Sequence, residues 1–148
     1  MSMQLYRKTS HTTFDLKYHV VWIIKYRKPI LEGKTAQRAR ELIREICEAH
    51  NIQIIRGHIS KDHVHIFISM PPQISVSKIA QYLKGKTSKK LLEENAVLKK
   101  KFWGNHLWGR GFFAVSSGSI TDEMIMEYIE KQDEDAEKRG DEFTIIDA

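Results

Sequence analysis

Polar and hydrophobic residues alternate along residues 63–70, and this pattern predicts a β-strand with two different faces. His63 and His65 fall on one face, and the apolar residues between and after them fall on the other. β-Branched and aromatic residues favour a strand here, and the segment ends at Pro71-Pro72. We therefore expect a strand that is buried on one side and carries two imidazoles about 7 Å apart on the other.

Related patterns predict three further strands and three helices. The predicted strands span residues 14–26, 52–60 and 111–116. The predicted helices span residues 35–50 and 121–138, with a third between them that ends near residue 94 and is capped by either Ser75 or Ser77. The order is β-α-β-β-α-β followed by one more helix. It predicts a single α+β domain over residues 1–148, with a ferredoxin-like (split βαβ) four-stranded antiparallel sheet. Two helices would cover one face, and the additional C-terminal helix would follow.

Composition is that of an ordinary globular protein. The chain has 148 residues, of which 41% are hydrophobic and 29% are charged. The longest apolar run, residues 20–24, is too short to span a bilayer, and the N-terminus lacks the apolar stretch of a secretory signal. Cys47 is the only cysteine, which excludes an internal disulfide and a multi-cysteine zinc site. These features predict a cytoplasmic protein without membrane contact.

Charge is distributed unevenly along the chain. Residues 1–111 contain 21 Lys and Arg against 8 Asp and Glu, a net charge of +13. Residues 112–148 contain 3 against 11, a net charge of −8. A body this basic is suited to a polyanion, because neutralising phosphates releases counterions and drives nucleic-acid binding. Many basic domains bind no nucleic acid, however, so charge alone leaves both possibilities open.

Candidate chemistry appears in the last predicted helix. Tyr128 and Gln132 are four residues apart, so they lie on one face of that helix. A phenol hydroxyl can act as a nucleophile and form a covalent intermediate, and the Gln132 amide oxygen could join two histidines around a metal ion. Taken separately, Tyr128 and Gln132 also fit the surface of an ordinary half-exposed helix. The two histidines also fit an ordinary polar sheet face.

Together these residues resemble a known family of enzymes. His63-Val64-His65 resembles the signature of HUH single-strand endonucleases. Tyr128 followed by Gln132 resembles the single-tyrosine class, whose members are small transposases of bacterial and archaeal insertion sequences. Residues 18–27, 83–88 and 102–112 resemble the same transposases and occur in the same order. The resemblance covers residues 14–132 and leaves out the acidic tail from about residue 133.

The resemblance implies a mechanism on single-stranded DNA with hairpin ends. His63, His65 and Gln132 would hold one Mg²⁺ or Mn²⁺ at the scissile phosphate. Tyr128 would attack the phosphorus and leave a 5′-phosphotyrosine and a free 3′-OH, and another 3′-OH could later join the strands. The resemblance also implies a homodimer in which the tyrosine helix of one subunit completes the site of the other. From the sequence, an arrangement within one chain remains equally open.

Further polar residues surround these candidates in the sequence. Asp62 is interpreted as a turn cap or as a second residue that orients a histidine, rather than as a metal ligand. His58, across the hairpin, could approach the site, but it is interpreted as a packed sheet residue. His19 and His106 are interpreted as structural. A basic helix face together with one loop arginine could contact DNA or could simply be solvated; this set comprises Lys84, Lys86, Lys89, Lys90 and Arg110. Trp103 and Trp108 could stack on bases or pack internally.

Other functions remain compatible with the same pattern. A noncatalytic ferredoxin-like module could bind single-stranded RNA or DNA through a basic sheet with aromatic residues. A domesticated relative of the transposases could act on chromosomal repeats. A zinc hydrolase is a weaker alternative, because no further His or Cys ligand follows at a characteristic spacing.

Overall fold

The structure, a computed structural model, describes residues 6–102, 104, 106–116 and 122–139, with residues 122 and 132–139 described through their backbone alone. In chain order its elements are β1 (Arg7–Lys8), β2 (Thr13–Phe14), β3 (Leu16–Ile23), α1 (Gly33–Ala49), β4 (Gln53–Ser60), β5 (His63–Met70), α2 (Val76–Glu94), α3 (Ala96–Lys101), β6 (Phe113–Ser116) and α4 (Asp122–Arg139). Strands β1 and β2 pair only with each other. The other four strands form the central sheet.

The central sheet confirms the predicted fold class. Its strand order is β4-β5-β3-β6, and every neighbouring pair is antiparallel. Strand β5 has the predicted bounds, because its two-residue alternation is a local property of the sequence. Strand β3 is shorter than predicted at its end. The chain leaves it through a 3₁₀ turn, Lys25–Arg27, in which Tyr26 and Arg27 have φ values of 59° and 52°.

Helices α1 and α2 pack on the apolar face of the sheet. Their buried side chains join those of Val20, Trp22 and Val64 in one core. Of the two candidate caps, Ser75 and Ser77, the structure uses Ser75, whose hydroxyl accepts a hydrogen bond from the Lys78 amide. The two helices therefore fill one side of the sheet and leave the face with the histidines to other elements.

A short helix that was not predicted, α3, lies between α2 and β6. Asn95 caps it, since its side-chain oxygen accepts hydrogen bonds from the amides of Val97 and Leu98.

Trp108, further along the chain, is buried in the core and donates through Nε1 to the Thr87 hydroxyl at 2.9 Å. Trp108 is thus an internal packing residue, whereas Trp103 lies outside the described residues.

Helix α4 packs on the opposite face of the sheet from α1 and α2. Ile125 and Ile129 are buried against Val21 and Ile23 of β3, in a second, smaller apolar cluster. Ile125 and Ile129 are four residues apart, so they share one face of α4. Among the described helices, none is sufficiently long and apolar to cross a membrane.

Candidate active site

The two histidines of the His-Val-His motif lie side by side on the sheet face that α4 occupies. His65 pairs with Val21 of β3, and His63 pairs with Ile23. Residues paired across antiparallel strands place their side chains on the same face. Val21 and Ile23 are also the residues on which α4 packs, so the imidazoles adjoin the position of that helix.

Asp62 holds the ring of His63. The Asp62 Oδ1 atom lies 2.8 Å from His63 Nδ1, and Asp62 Oδ2 accepts from Arg27 Nε at 3.1 Å. Burial raises the pKa of Asp62, but the hydrogen bonds from His63 and Arg27 together outweigh it, so the pKa lies below its ordinary value. In a neutral imidazole, a hydrogen bond from Nδ1–H to this carboxylate would leave Nε2 with the lone pair that a metal ion needs. Asp62 is thus in contact with the His63 ring, and an orienting role for it in metal binding stays a prediction.

A left-handed turn delivers Arg27 to Asp62. The positive φ values of Tyr26 and Arg27 are uncommon for residues with a Cβ and cost on the order of 1–2 kcal/mol each. Main-chain hydrogen bonds hold the turn in place, from the Ile24 amide to the Asp62 carbonyl and from the Lys25 amide to the Leu107 carbonyl. Helix α4 contacts the same turn. The turn therefore contacts both α4, which carries Tyr128, and Asp62, the carboxylate beside His63.

His65 is held by a third imidazole, that of His19. Nδ1 of His19 lies 3.0 Å from His65 Nε2, and the His19 ring stacks on Phe67 with centroids 4.2 Å apart. One ring must accept in such a contact, so at least one of the two is neutral. Burial lowers the pKa of His65 to about 4, with smaller contributions from the neighbouring histidines and Arg56. At neutral pH His65 is therefore in the form that binds metal ions.

Tyr128 lies on the same side of the sheet as the two histidines, within the same chain. Its ring packs against Phe113 of β6 with centroids 5.4 Å apart, next to the buried pair of isoleucines. Residue 132 lies one helical turn further along α4, but the side chain of Gln132 is outside the described residues. The structure thus brings His63, His65 and Tyr128 to one face, and the role of Gln132 stays a prediction.

The candidate DNA-binding lysines lie on a different layer of the protein. Helix α2 covers the opposite sheet face, where Lys86, Lys89 and Lys90 are exposed to solvent. Lys84 is half-buried and donates to the Gly111 carbonyl at 2.8 Å. Arg110 is exposed in the segment before β6. Contact of these residues with DNA stays a prediction.

The sequence reasoning missed the contacts of two residues near the site and misjudged the packing of a third. Arg27 and His19 each contact a partner far away in sequence: the first contact depends on the turn after β3, and the second depends on strand register. The sequence interpretation of His58 as a packed residue is wrong, since His58 is exposed on edge strand β4, directly opposite His65. Edge position, with a neighbour on one side only, explains that exposure.

Comparison with known proteins agrees with this fold and defines the class, a transposase. Residues 12–132 match the family model described as "Transposase IS200 like", and the chain belongs to this family. The transposase for insertion sequence element IS200 of Salmonella typhimurium is 34% identical over 139 residues, covering 94% of this chain and 90% of the relative. The ISDra2 transposase TnpA of Deinococcus radiodurans is 30% identical over 119 residues, covering 80% and 85%.

Solved structures show the same fold. A crystal structure of a candidate transposase from Deinococcus radiodurans R1 superposes with a TM-score of 0.79 at 25% identity, covering 85% of this chain and 97% of the other. A REP-associated tyrosine transposase bound to a REP hairpin superposes with a TM-score of 0.53 at 13% identity, covering 93% and 75%. At that identity the second likeness shows the fold alone.

Proposed function

We propose that this transposase cuts and rejoins single-stranded DNA at the hairpin ends of an insertion sequence, by a single-tyrosine HUH mechanism. One observation carries the proposal. Helix α4 packs on Val21 and Ile23, the residues paired with His65 and His63, so the tyrosine helix and both imidazoles share one sheet face. A nucleophile and two potential metal ligands on one rigid surface are what phosphodiester cleavage requires.

The imidazoles have the chemistry of a divalent metal site. His63 is oriented by a carboxylate, as metal-bound histidines commonly are, and His65 is neutral at physiological pH. Within the described ranges no group of three His, Cys, Asp or Glu side chains is placed to hold a metal. His63, His65 and Gln132 would hold Mg²⁺ or Mn²⁺, which supplies charge stabilisation at the scissile phosphate when bound.

Tyr128 supplies the nucleophile in this proposal. Its phenol oxygen, on losing the hydroxyl proton, forms a bond to phosphorus while the bond from phosphorus to the 3′ oxygen breaks. The departing 3′ oxygen takes up a proton, which leaves a 5′-phosphotyrosine and a free 3′-OH. One phosphoester is exchanged for another without water, so a second 3′-OH can reverse the step and join strands.

The charge of the chain and one fold neighbour support DNA hairpins as the substrate. Residues 1–111 carry a net charge of +13, which favours a polyanion. The REP-associated tyrosine transposase, a neighbour in fold, was solved bound to a REP hairpin. The test is to incubate the protein with end-labelled single-stranded hairpin DNA and Mn²⁺. We expect an SDS-resistant protein–DNA adduct, whereas binding without an adduct would favour the noncatalytic module.

Changing Asp62 to Asn should weaken Mn²⁺ binding about 10- to 100-fold, the usual effect of losing a residue that orients a metal ligand. The amide is nearly isosteric but removes the negative charge that faces His63 Nδ1. Isothermal titration with Mn²⁺ measures the change. Asp15→Asn is the matched control, because Asp15 is exposed and pairs with Lys17. Equal affinities of the two variants would contradict an orienting role for Asp62.

We also propose a homodimer in which α4 helices are exchanged between protomers. The cluster that receives α4 is small, with Val21 and Ile23 on the sheet and Ile125 and Ile129 on the helix, and a helix from a second copy presents the same side chains. Mixing Tyr128→Phe protein with His63→Ala protein tests this. With exchanged helices, random pairing restores about a quarter of the wild-type cleavage sites. Sites built within one chain would restore none, and that result would reject the exchange.

A further inference from the structure

Strand β4 contains an irregularity that changes which residues face the histidines. Ile54 pairs with Ile68 and Arg56 pairs with Phe67, so Ile55 is an extra residue in the ladder, a β-bulge. Beyond the bulge, His58 pairs with His65 and Ser60 pairs with His63. Paired residues share a face, so Arg56 lies on the histidine face of the sheet.

Without the bulge, simple alternation would place Ile54 and Arg56 on the same face. Either Ile54 would leave the core or Arg56 would enter it. The extra residue allows Ile54 and Ile59 to pack against the core while Arg56 turns toward the histidines. Bulges near active sites commonly redirect a side chain in this way.

Arg56 is exposed on the histidine face of the sheet. It sits diagonally from His65, because it pairs with Phe67 two residues further along β5, and such diagonal neighbours lie about 7–8 Å apart. Its charge contributes to lowering the pKa of both His19 and His65. Helix α4 packs on β3 and β6, so it covers the other half of this face. Among the described residues, no helix packs on the half with Arg56, which leaves that half accessible to a DNA strand.

We propose that Arg56 binds a backbone phosphate of the single-stranded DNA, next to the phosphate that is cleaved. This proposal rests on the proposed function and specifies the path of the strand across β4 and β5. A guanidinium suits the task because it stays charged and donates two parallel hydrogen bonds to phosphate oxygens. Arg56 is then a substrate-positioning residue, one diagonal step from the imidazole pair.

The salt dependence of binding tests the proposal. Fluorescence anisotropy follows binding of a labelled 20-nucleotide oligodeoxythymidine at several KCl concentrations, without divalent metal. Each lost phosphate contact on single-stranded DNA should lower the slope of log K against log [KCl] by about 0.7. We expect that decrease for Arg56→Gln, and we expect Arg56→Lys, which keeps the charge, to retain the wild-type slope.

Arg44→Gln is the matched control, since Arg44 is exposed on α1 at the opposite layer of the sheet. It makes the same change in net charge away from the proposed path, and its slope should equal that of the wild type. Equal slopes for Arg56→Gln and Arg44→Gln, with normal binding by the wild type, would overturn the role of Arg56 alone. Failure of the wild type to bind any single-stranded probe, the labelled hairpin included, would overturn the proposed function as well.

Discussion

Changing Tyr128 to Phe should abolish the covalent protein–DNA adduct completely, because phenylalanine has no oxygen that can bond to phosphorus. The aromatic ring, which packs against Phe113, is kept, so α4 should remain on the sheet. Loss of one hydroxyl changes the free energy of unfolding by only about 1 kcal/mol. Denaturing gel electrophoresis of the protein with end-labelled hairpin DNA and Mn²⁺ measures the adduct, and anisotropy under native conditions verifies that binding persists.

Tyr82→Phe provides the matched control for that experiment. Tyr82 lies on α2, on the opposite sheet face, where its ring stacks on His50 with centroids 4.8 Å apart. This variant removes the same hydroxyl group from a remote position and should form the adduct at the wild-type level. An adduct that survives in Tyr128→Phe protein would show that another residue is the nucleophile.

Changing His63 to Ala should reduce metal-dependent cleavage by on the order of 10³-fold, since the charge stabilisation of a bound metal is worth several kcal/mol. Asp62 retains its hydrogen bond to Arg27 in this variant, so the carboxylate is still paired and the turn should persist. Mn²⁺ titration should show a matching loss of affinity, and this measurement does not depend on activity. Circular dichroism verifies the fold.

His11→Ala is the control for the metal experiments, because His11 is exposed between β1 and β2, outside the central sheet. Its Mn²⁺ affinity and cleavage rate should equal those of the wild type. If His63→Ala protein binds Mn²⁺ and cleaves DNA as well as His11→Ala protein does, then His63 is not a metal ligand. The role of Tyr128 would still be tested separately, by the presence or absence of the covalent protein–DNA adduct in Tyr128→Phe protein.

Local patterns in the sequence were enough for most of the fold. The alternation around His63 located β5 at its observed bounds, and the two serines before α2 narrowed its start to within two residues. Helix α3 was missed although Asn95 is a good capping residue, because its six residues are too few to show a helical apolar stripe. The early end of β3 was missed because no glycine marks the left-handed Tyr26 and Arg27.

For the site, the sequence by itself determined the residue types and the class of protein: two histidines on one strand face, a tyrosine four residues before a glutamine, and membership of a transposase family. Only the tertiary structure decided what supports them. Arg27 contacts Asp62, which contacts His63, and His19 contacts His65. The bulge in β4 places Arg56 on the sheet face that carries both histidines of the motif. Side-chain periodicity is local, whereas strand register and packing join residues that are tens of positions apart, so no short pattern contains those contacts.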